Sequence, residues 1–201
     1  MWRQSLLVSR LVGYNPAMPV EIEAKFQLTE PEAMRRLLAE LGAEALGAVL
    51  EQNTYFDRAD RSLQGRDCGL RLRVEQAGGE ASRVMLTYKG PRRPGELKIR
   101  QEEEVGVSSA KATRAILAGL GYEPTLSFQK RRERYRLGRA VVCLDELPEL
   151  GFFLEIEAPD ERAVQDVRKT LGLGDVPTVR ASYIALVAEH LGRSGRAKLR
   201  F

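Results

Sequence analysis

The chain is poor in the residues that most enzymes use for nucleophilic or soft-metal chemistry. Its 201 positions hold one histidine and two cysteines. His190 stands alone near the C-terminal end and is expected to be a surface or packing residue. Cys68 and Cys143 lie far apart and give no metal-ligand spacing. A reduced cytoplasmic protein is the simplest setting for two such thiols. No Walker-type glycine loop occurs, which removes the commonest loop for binding phosphate. No apolar run of about eighteen residues occurs, so no transmembrane helix is expected. The opening "MWRQSLLVSRLVGYNPA" lacks a continuous hydrophobic centre and makes a poor signal peptide. Internal repeats and low-complexity linkers are also missing, so one domain is expected.

The net charge of +4 and pI near 9.2 raise the question of a nucleic-acid partner. The location of the charge argues against one. Arg3 and Arg10 precede residue 18, and Arg193, Arg196, Lys198 and Arg200 follow residue 191, with no acids among them. Without these six, the formal charge of residues 18–191 is about −2. Both ends are expected to be solvated, disordered tails.

What the chain does have is alternation. In "VEIEAKFQL", Glu21, Glu23 and Lys25 oppose Val20, Ile22, Ala24 and Phe26, as on a β-strand with one apolar face. "LRLRV" sets Arg71 and Arg73 against Leu70, Leu72 and Val74. "RVMLTYK" places Lys89 beside Thr87. "LKIRQEEEV" groups Lys98, Arg100, Glu102 and Glu104. "FQKRRERY" groups Lys130, Arg132 and Arg134. "VCLDEL" contributes Asp145, and "FLEIEA" contributes Glu155 and Glu157.

Helices are expected between some strands. One spans "LTEPEAMRRLLAELGA", capped by Thr29 and stopped at Gly42. Another is capped by Ser108 or Ser109. Two more cover "DERAVQDVRKTLGLG" and "RASYIALVAEHL". A hairpin is expected to turn at Leu137-Gly138-Arg139.

Acid pairs and base pairs stand on separate strands, and Arg outnumbers Lys. A solvated open sheet explains neither feature. Closing the sheet into a barrel does: the charged face lines the interior and the apolar face lies under the helices. The expected fold is α+β, mainly β: a closed antiparallel barrel of about eight strands with helices outside. Buried acids then need cations and surplus bases need anions. Oxygen donors without His or Cys suit Mg²⁺ or Mn²⁺, and clustered Arg and Lys suit phosphates.

These motifs resemble, in order, those of the CYTH superfamily, the triphosphate tunnel metalloenzymes. "EIEAKF" matches the Glu-x-Glu-x-Lys signature. The likeness continues through "NTYFDRADRSLQGRDCGLRLR", "LTYKGP", "IRQEEEV", "KRRERY", "CLDELPELGFFLEIE" and "RASYIALV", across roughly residues 18–191. The family includes class IV adenylate cyclases, thiamine triphosphatases and inorganic triphosphatases, built on an eight-stranded tunnel.

The resemblance implies that Lys25, Arg71, Arg73, Lys89, Lys130 and Arg132 hold the triphosphate and carry catalysis. It implies Glu21, Glu23, Glu155 and Glu157 as metal ligands, with Asp145, Glu102 and Glu104 as further metal or water ligands. Arg100 and Arg180 become additional phosphate contacts. The function implied is Mg²⁺- or Mn²⁺-dependent hydrolysis of inorganic, nucleotide or thiamine triphosphate. Adenylate cyclisation and non-catalytic polyphosphate binding are the alternatives. The expected partner is a small-molecule triphosphate, not nucleic acid or membrane, and a homodimer is left open. Residues 1–17 would be a dispensable extension, residues 18–191 the tunnel domain, and residues 192–201 a basic tail.

Overall fold

The computed structural model describes residues 20–78, 82–194 and 198–201. The expected extension, residues 1–17, lies outside these. The chain order begins with β1 (Val20–Leu28), α1 (Pro31–Glu40), β2 (Glu44–Asp57), β3 (Gly69–Gln76), β4 (Arg83–Lys89) and β5 (Lys98–Gly106). It continues with α2 (Ala110–Gly119), β6 (Glu123–Leu137), β7 (Ala140–Leu147), β8 (Gly151–Glu157), α3 (Glu161–Thr170), α4 (Tyr183–Ser194) and β9 (Lys198–Leu199). The strands run in the order β2-β3-β4-β5-β1-β8-β7-β6. Antiparallel pairing of β2 with β6 closes this ladder into an eight-stranded barrel.

Closure shows in β1, which is buried on both faces. Phe26 has no exposed surface, and Lys25 on the other face is only 2% exposed. The outward apolar residues of β1, β7 and β8 pack under α1 and α3 around Phe26, Leu38, Leu154 and Val164. On the opposite wall Phe56 and Leu72 meet Leu117 of α2. Burying such side chains stabilises the fold by roughly 1.5–3 kcal/mol each. At one end of the barrel Phe128, Leu147 and Phe153 share the inward parity of Lys130, Asp145 and Glu155. They pack with Tyr183 and Val187 of α4 as an apolar plug.

Two local expectations change and one is narrowed. Pro31 opens α1, which makes Glu30 the N-cap residue, without a side-chain cap; Thr29 lies outside the helix. Proline at the first helical position sets that boundary by its fixed φ. Ser109, not Ser108, caps α2, accepting from Ala112 N. The basic tail does not stay free: Lys198 and Leu199 pair in parallel with Ser127 and Phe128, and Leu199 is fully buried. The hairpin turns as expected, with Gly138 at φ +59°. Among the described residues no helix is long and apolar enough to cross a membrane.

Candidate active site

The inward faces enclose a cavity of about 350 Å³ lined by eight bases, seven acids and only five other residues. The barrel thus forces charges together that would separate in water. Pairing offsets the desolvation cost.

Two of the acids, Glu51 and Asp145, have no exposed surface. Glu51 is ringed by bases. Arg73 lies 3.2 Å away, Lys130 3.3 Å, Arg134 3.4 Å and Arg132 3.8 Å. Burial alone would raise its pKa, but Lys130, Arg132, Arg73 and Arg71 hold the carboxyl well below its usual range. Asp145 is equally enclosed. It accepts from Lys130 Nζ at 3.1 Å, Arg132 Nε at 2.7 Å and Nη2 at 2.5 Å, and the Tyr183 hydroxyl at 2.7 Å. Burial and Asp145 push the Tyr183 hydroxyl well above its ordinary pKa, so it stays a donor. Its ring carries Lys25 Nζ 3.7 Å from the centroid. Burial brings Lys25 down to about 8, against the pull of Glu155 at 3.3 Å.

A second cluster spans β4, β5, β1 and β8. Lys89 bridges Glu21 at 2.7 Å and Glu102 at 2.6 Å, while Lys98 holds Glu23 at 2.5 Å. Glu104 takes Arg73 at 3.1 Å, Arg71 at 3.5 Å and the Thr87 hydroxyl at 2.7 Å. Glu157 differs: it forms no ion pair among the described residues, and its charged neighbours are mostly acids. Burial and the neighbouring Glu21, Glu23 and Glu102 push it up to about 7, with Arg132 opposing.

Eleven of the expected site residues line this cavity: Glu21, Glu23, Lys25, Arg71, Arg73, Glu102, Glu104, Lys130, Arg132, Glu155 and Glu157. Lys89 stands behind Glu21 and Glu102. Asp145 sits beneath the bases with its oxygens committed to four donor atoms, which suits it to orienting Arg132 and Lys130 rather than to ligating an ion. Arg100 and Arg180 lie elsewhere. The Arg100 guanidinium donates to the carbonyls of Gly90 and Asp67, each at 2.8 Å, and so ties two loops together. Arg180 is exposed beside Arg92 and Arg93. Lys98 and Arg134, placed on the charged faces by alternation but given no site role, also line the cavity, and the sequence reading did not name Glu51, Glu75, Arg83, Tyr55 or Tyr183 for the site. Strand parity was the available signal, since Glu75 follows Arg71 and Arg73 at even spacing.

Glu21, Glu23, Glu102 and Glu157 are hard oxygen donors on the adjacent strands β5, β1 and β8, and Glu157 forms no ion pair among the described residues. Among the described residues no three such groups form a ready cage. The donor type, carboxylate oxygen without His or Cys, is the one Mg²⁺ and Mn²⁺ take, with water and phosphate oxygens completing the shell.

A closed antiparallel barrel with a bore of paired charges is the architecture of the triphosphate tunnel proteins. The chain belongs to the CYTH family: residues 19–183 match the CYTH domain. It is 32% identical over 181 residues to adenylate cyclase CyaB of Aeromonas hydrophila, covering 85% of this chain and 90% of that one. Among solved structures, the PH1819 protein of Pyrococcus horikoshii OT3 superposes with a TM-score of 0.75 at 28% identity, covering 85% of this chain and 99% of that one. The Hippeastrum protein HpAC1, for which a dominant triphosphatase activity is described, shares the fold with a TM-score of 0.64 at 22% identity, covering 88% and 96% of the two chains.

Proposed function

We propose that this chain is a Mg²⁺- or Mn²⁺-dependent phosphohydrolase that binds a triphosphate inside the barrel and cleaves its terminal anhydride. The supporting observation is the bore itself, where eight bases converge on a cavity of about 350 Å³. A water oxygen bonds to the terminal phosphorus as the bridging P–O bond breaks, and the diphosphate leaves. Catalysis of this kind is mostly positioning and charge stabilisation. Arg71, Arg73, Lys130 and Arg132 would spread charge off the phosphoryl oxygens. Glu51 and Asp145 would hold those forks in place.

The lining also argues for a cation. Seven acids nearly cancel the eight bases, so a polyanion entering alone would meet little net positive charge. Glu21, Glu23, Glu102 and Glu157 would hold the ion. When bound, it neutralises phosphate charge and acidifies a coordinated water. The two free thiols fit a cytoplasmic setting.

The 32% identity to an adenylate cyclase favours a second reading. There the ribose 3′-hydroxyl attacks the α-phosphorus and pyrophosphate leaves. ATP and tripolyphosphate, each supplied with Mg²⁺ or Mn²⁺, separate the two. Orthophosphate from both substrates without cyclic AMP is the expected result. Cyclic AMP and pyrophosphate from ATP, with tripolyphosphate untouched, would establish the cyclase. Binding without turnover would leave only a polyphosphate-binding module.

A further inference from the structure

The barrel carries a second pocket outside the bore, and its charge balance is different. Its volume is about 290 Å³, and it lies where the β4–β5 connection meets the segment leading into α4. Its charged residues are Arg92, Arg93, Glu96, Lys98 and Arg180. Four bases thus face one acid here, whereas eight bases face seven acids in the bore. Lys98 borders both spaces.

The single acid is already taken. Glu96 accepts from Arg168 Nη1 at 2.7 Å, and Arg168 is itself buried and anchored to the carbonyls of Leu173 and Val176. Two of the bases are committed as well. Arg92 grips Asp67 through Nε and Nη2, each at 2.8 Å, and Lys98 holds Glu23 at 2.5 Å. Arg93 and Arg180 are left over. Arg93 is held by its backbone N–H, which donates to Ile99 O at 2.8 Å. Neither its guanidinium nor that of Arg180 forms an ion pair among the described residues. Two cations that line one pocket repel each other, and an anion between them relieves the repulsion.

The backbone around these two side chains is pinned. Arg92 N donates to Asp67 at 3.0 Å, which fixes the β4–β5 connection, and Arg92 Nη1 reaches the Arg180 carbonyl on the other wall at 3.5 Å. Val179 N donates to Lys25 O at 2.7 Å and docks that wall on β1. Gly95 turns the connection at φ +151°, a conformation that side chains rarely adopt. Arg93 and Arg180 therefore reach the pocket from two separately anchored segments.

We propose that this side pocket is a second anion site, which takes a single phosphate group between the Arg93 and Arg180 guanidiniums and needs no divalent ion. Planar guanidinium forks match phosphate oxygens. The bore is nearly neutral and favours a polyanion that arrives with a cation; the side pocket has two unpaired positive charges and takes an anion alone. Its ligand is inorganic orthophosphate, the species that the proposed hydrolysis would release. Binding at this site stands apart from the triphosphate reading of the bore and survives its failure.

Calorimetric titration of the full chain with orthophosphate, in a chelator and at fixed ionic strength, tests it. Ionic strength is fixed because exposed charges are screened by salt. Arg93→Ala and Arg180→Ala each remove one fork, from different walls; both side chains are exposed, so neither change opens the core. Each should weaken orthophosphate about tenfold or more, while Arg71→Ala and Arg73→Ala in the bore leave it within about twofold. Equal weakening by the bore variants would overturn the inference, since the anion would then lie in the bore. Unchanged affinity in both Arg93→Ala and Arg180→Ala would overturn it too, as would a parent chain that does not bind orthophosphate.

Discussion

Arg73 shows how one side chain serves both fold and ligand. Its Nη1 meets Glu51 and Glu75, its Nη2 meets Glu104, and its buried Nε has no partner. Arg73→Ala should lower kcat/KM for the triphosphate about thirtyfold or more, the loss of roughly 2 kcal/mol of charge-assisted contact. Arg73→Lys should recover part of this, because a point charge cannot reproduce a planar fork. Steady-state kinetics beside the outward Glu103→Ala checks it; equal small effects would remove the ligand from the bore. Glu157 makes a pH prediction. Its folded pKa of about 7 exceeds the ordinary 4.5. Between those values the folded state keeps a proton that the unfolded chain has lost. Without metal, this residue therefore costs stability as pH rises from about 4.5 to about 7, and the cost levels off above. Glu157→Gln should be the more stable protein above that window and should need more Mg²⁺ or Mn²⁺ for half-maximal rate. Parallel melting curves across pH and an unshifted metal titration would refute it. Alternation made these inward residues legible. It could not show that Asp145 has its oxygens filled, because a donor count needs three dimensions. Nor could it show that the Arg100 guanidinium is spent on the carbonyls of Gly90 and Asp67 and so holds two loops.

Elements were legible where local chemistry set them. The strands follow two-residue alternation, and Ser109 sits where a cap belongs. Contacts between elements were less legible. Glu133 faces outward, as parity requires, and a solvated residue would be silent on mutation. Instead it accepts from Arg35 of α1, with Nη2 at 2.7 Å, and from the Tyr135 hydroxyl at 2.8 Å. Arg35 holds its carboxyl below the usual value. Glu133→Ala should therefore cost about 1 kcal/mol of stability by loosening α1 from β6, with kcat/KM unchanged. Denaturant unfolding beside a rate assay reads both; a loss of rate without a loss of stability would contradict it. The C-terminal strand was hidden because "KLRF" is too short and basic to announce pairing. Its apolar residue decides the matter: Leu199 is buried against Phe128, Leu147 and α4. Leu199→Ala should cost about 2–5 kcal/mol, the usual range for an aliphatic side chain removed from a core. A melting temperature within error of the parent would show that β9 does not hold the plug.

Barrel closure gives the whole molecule a property that no strand has alone. The inward charges of eight strands share one low-dielectric space, so Glu51, Glu104, Asp145 and Glu155 each serve as counter-ion to more than one base. Glu51 alone neighbours Arg73, Lys130, Arg132 and Arg134. The alternation in β1, β3, β6 and β8 favoured such closure over an open sheet, because acids and bases grouped on separate strands can pair only when the sheet curls them face to face. A ligand must therefore enter a network that is nearly neutral without it. A triphosphate alone displaces acids from their bases, and a divalent cation alone competes with Lys89 and Lys98 for Glu21, Glu23 and Glu102. Added together, each relieves the charge that the other leaves unpaired. Mg²⁺ and an uncleavable triphosphate should thus bind with positive coupling, each tightening the other by the same factor. At about a hundred times its Kd the pair should stabilise the fold by roughly 2.7 kcal/mol and raise the melting temperature by about 5–10 °C. Either one alone should raise it far less. Melting curves over a grid of the two concentrations measure the coupling directly. Shifts that merely add would mean that the acids and bases of the bore act as separate sites, and the shared-network account would have to be abandoned.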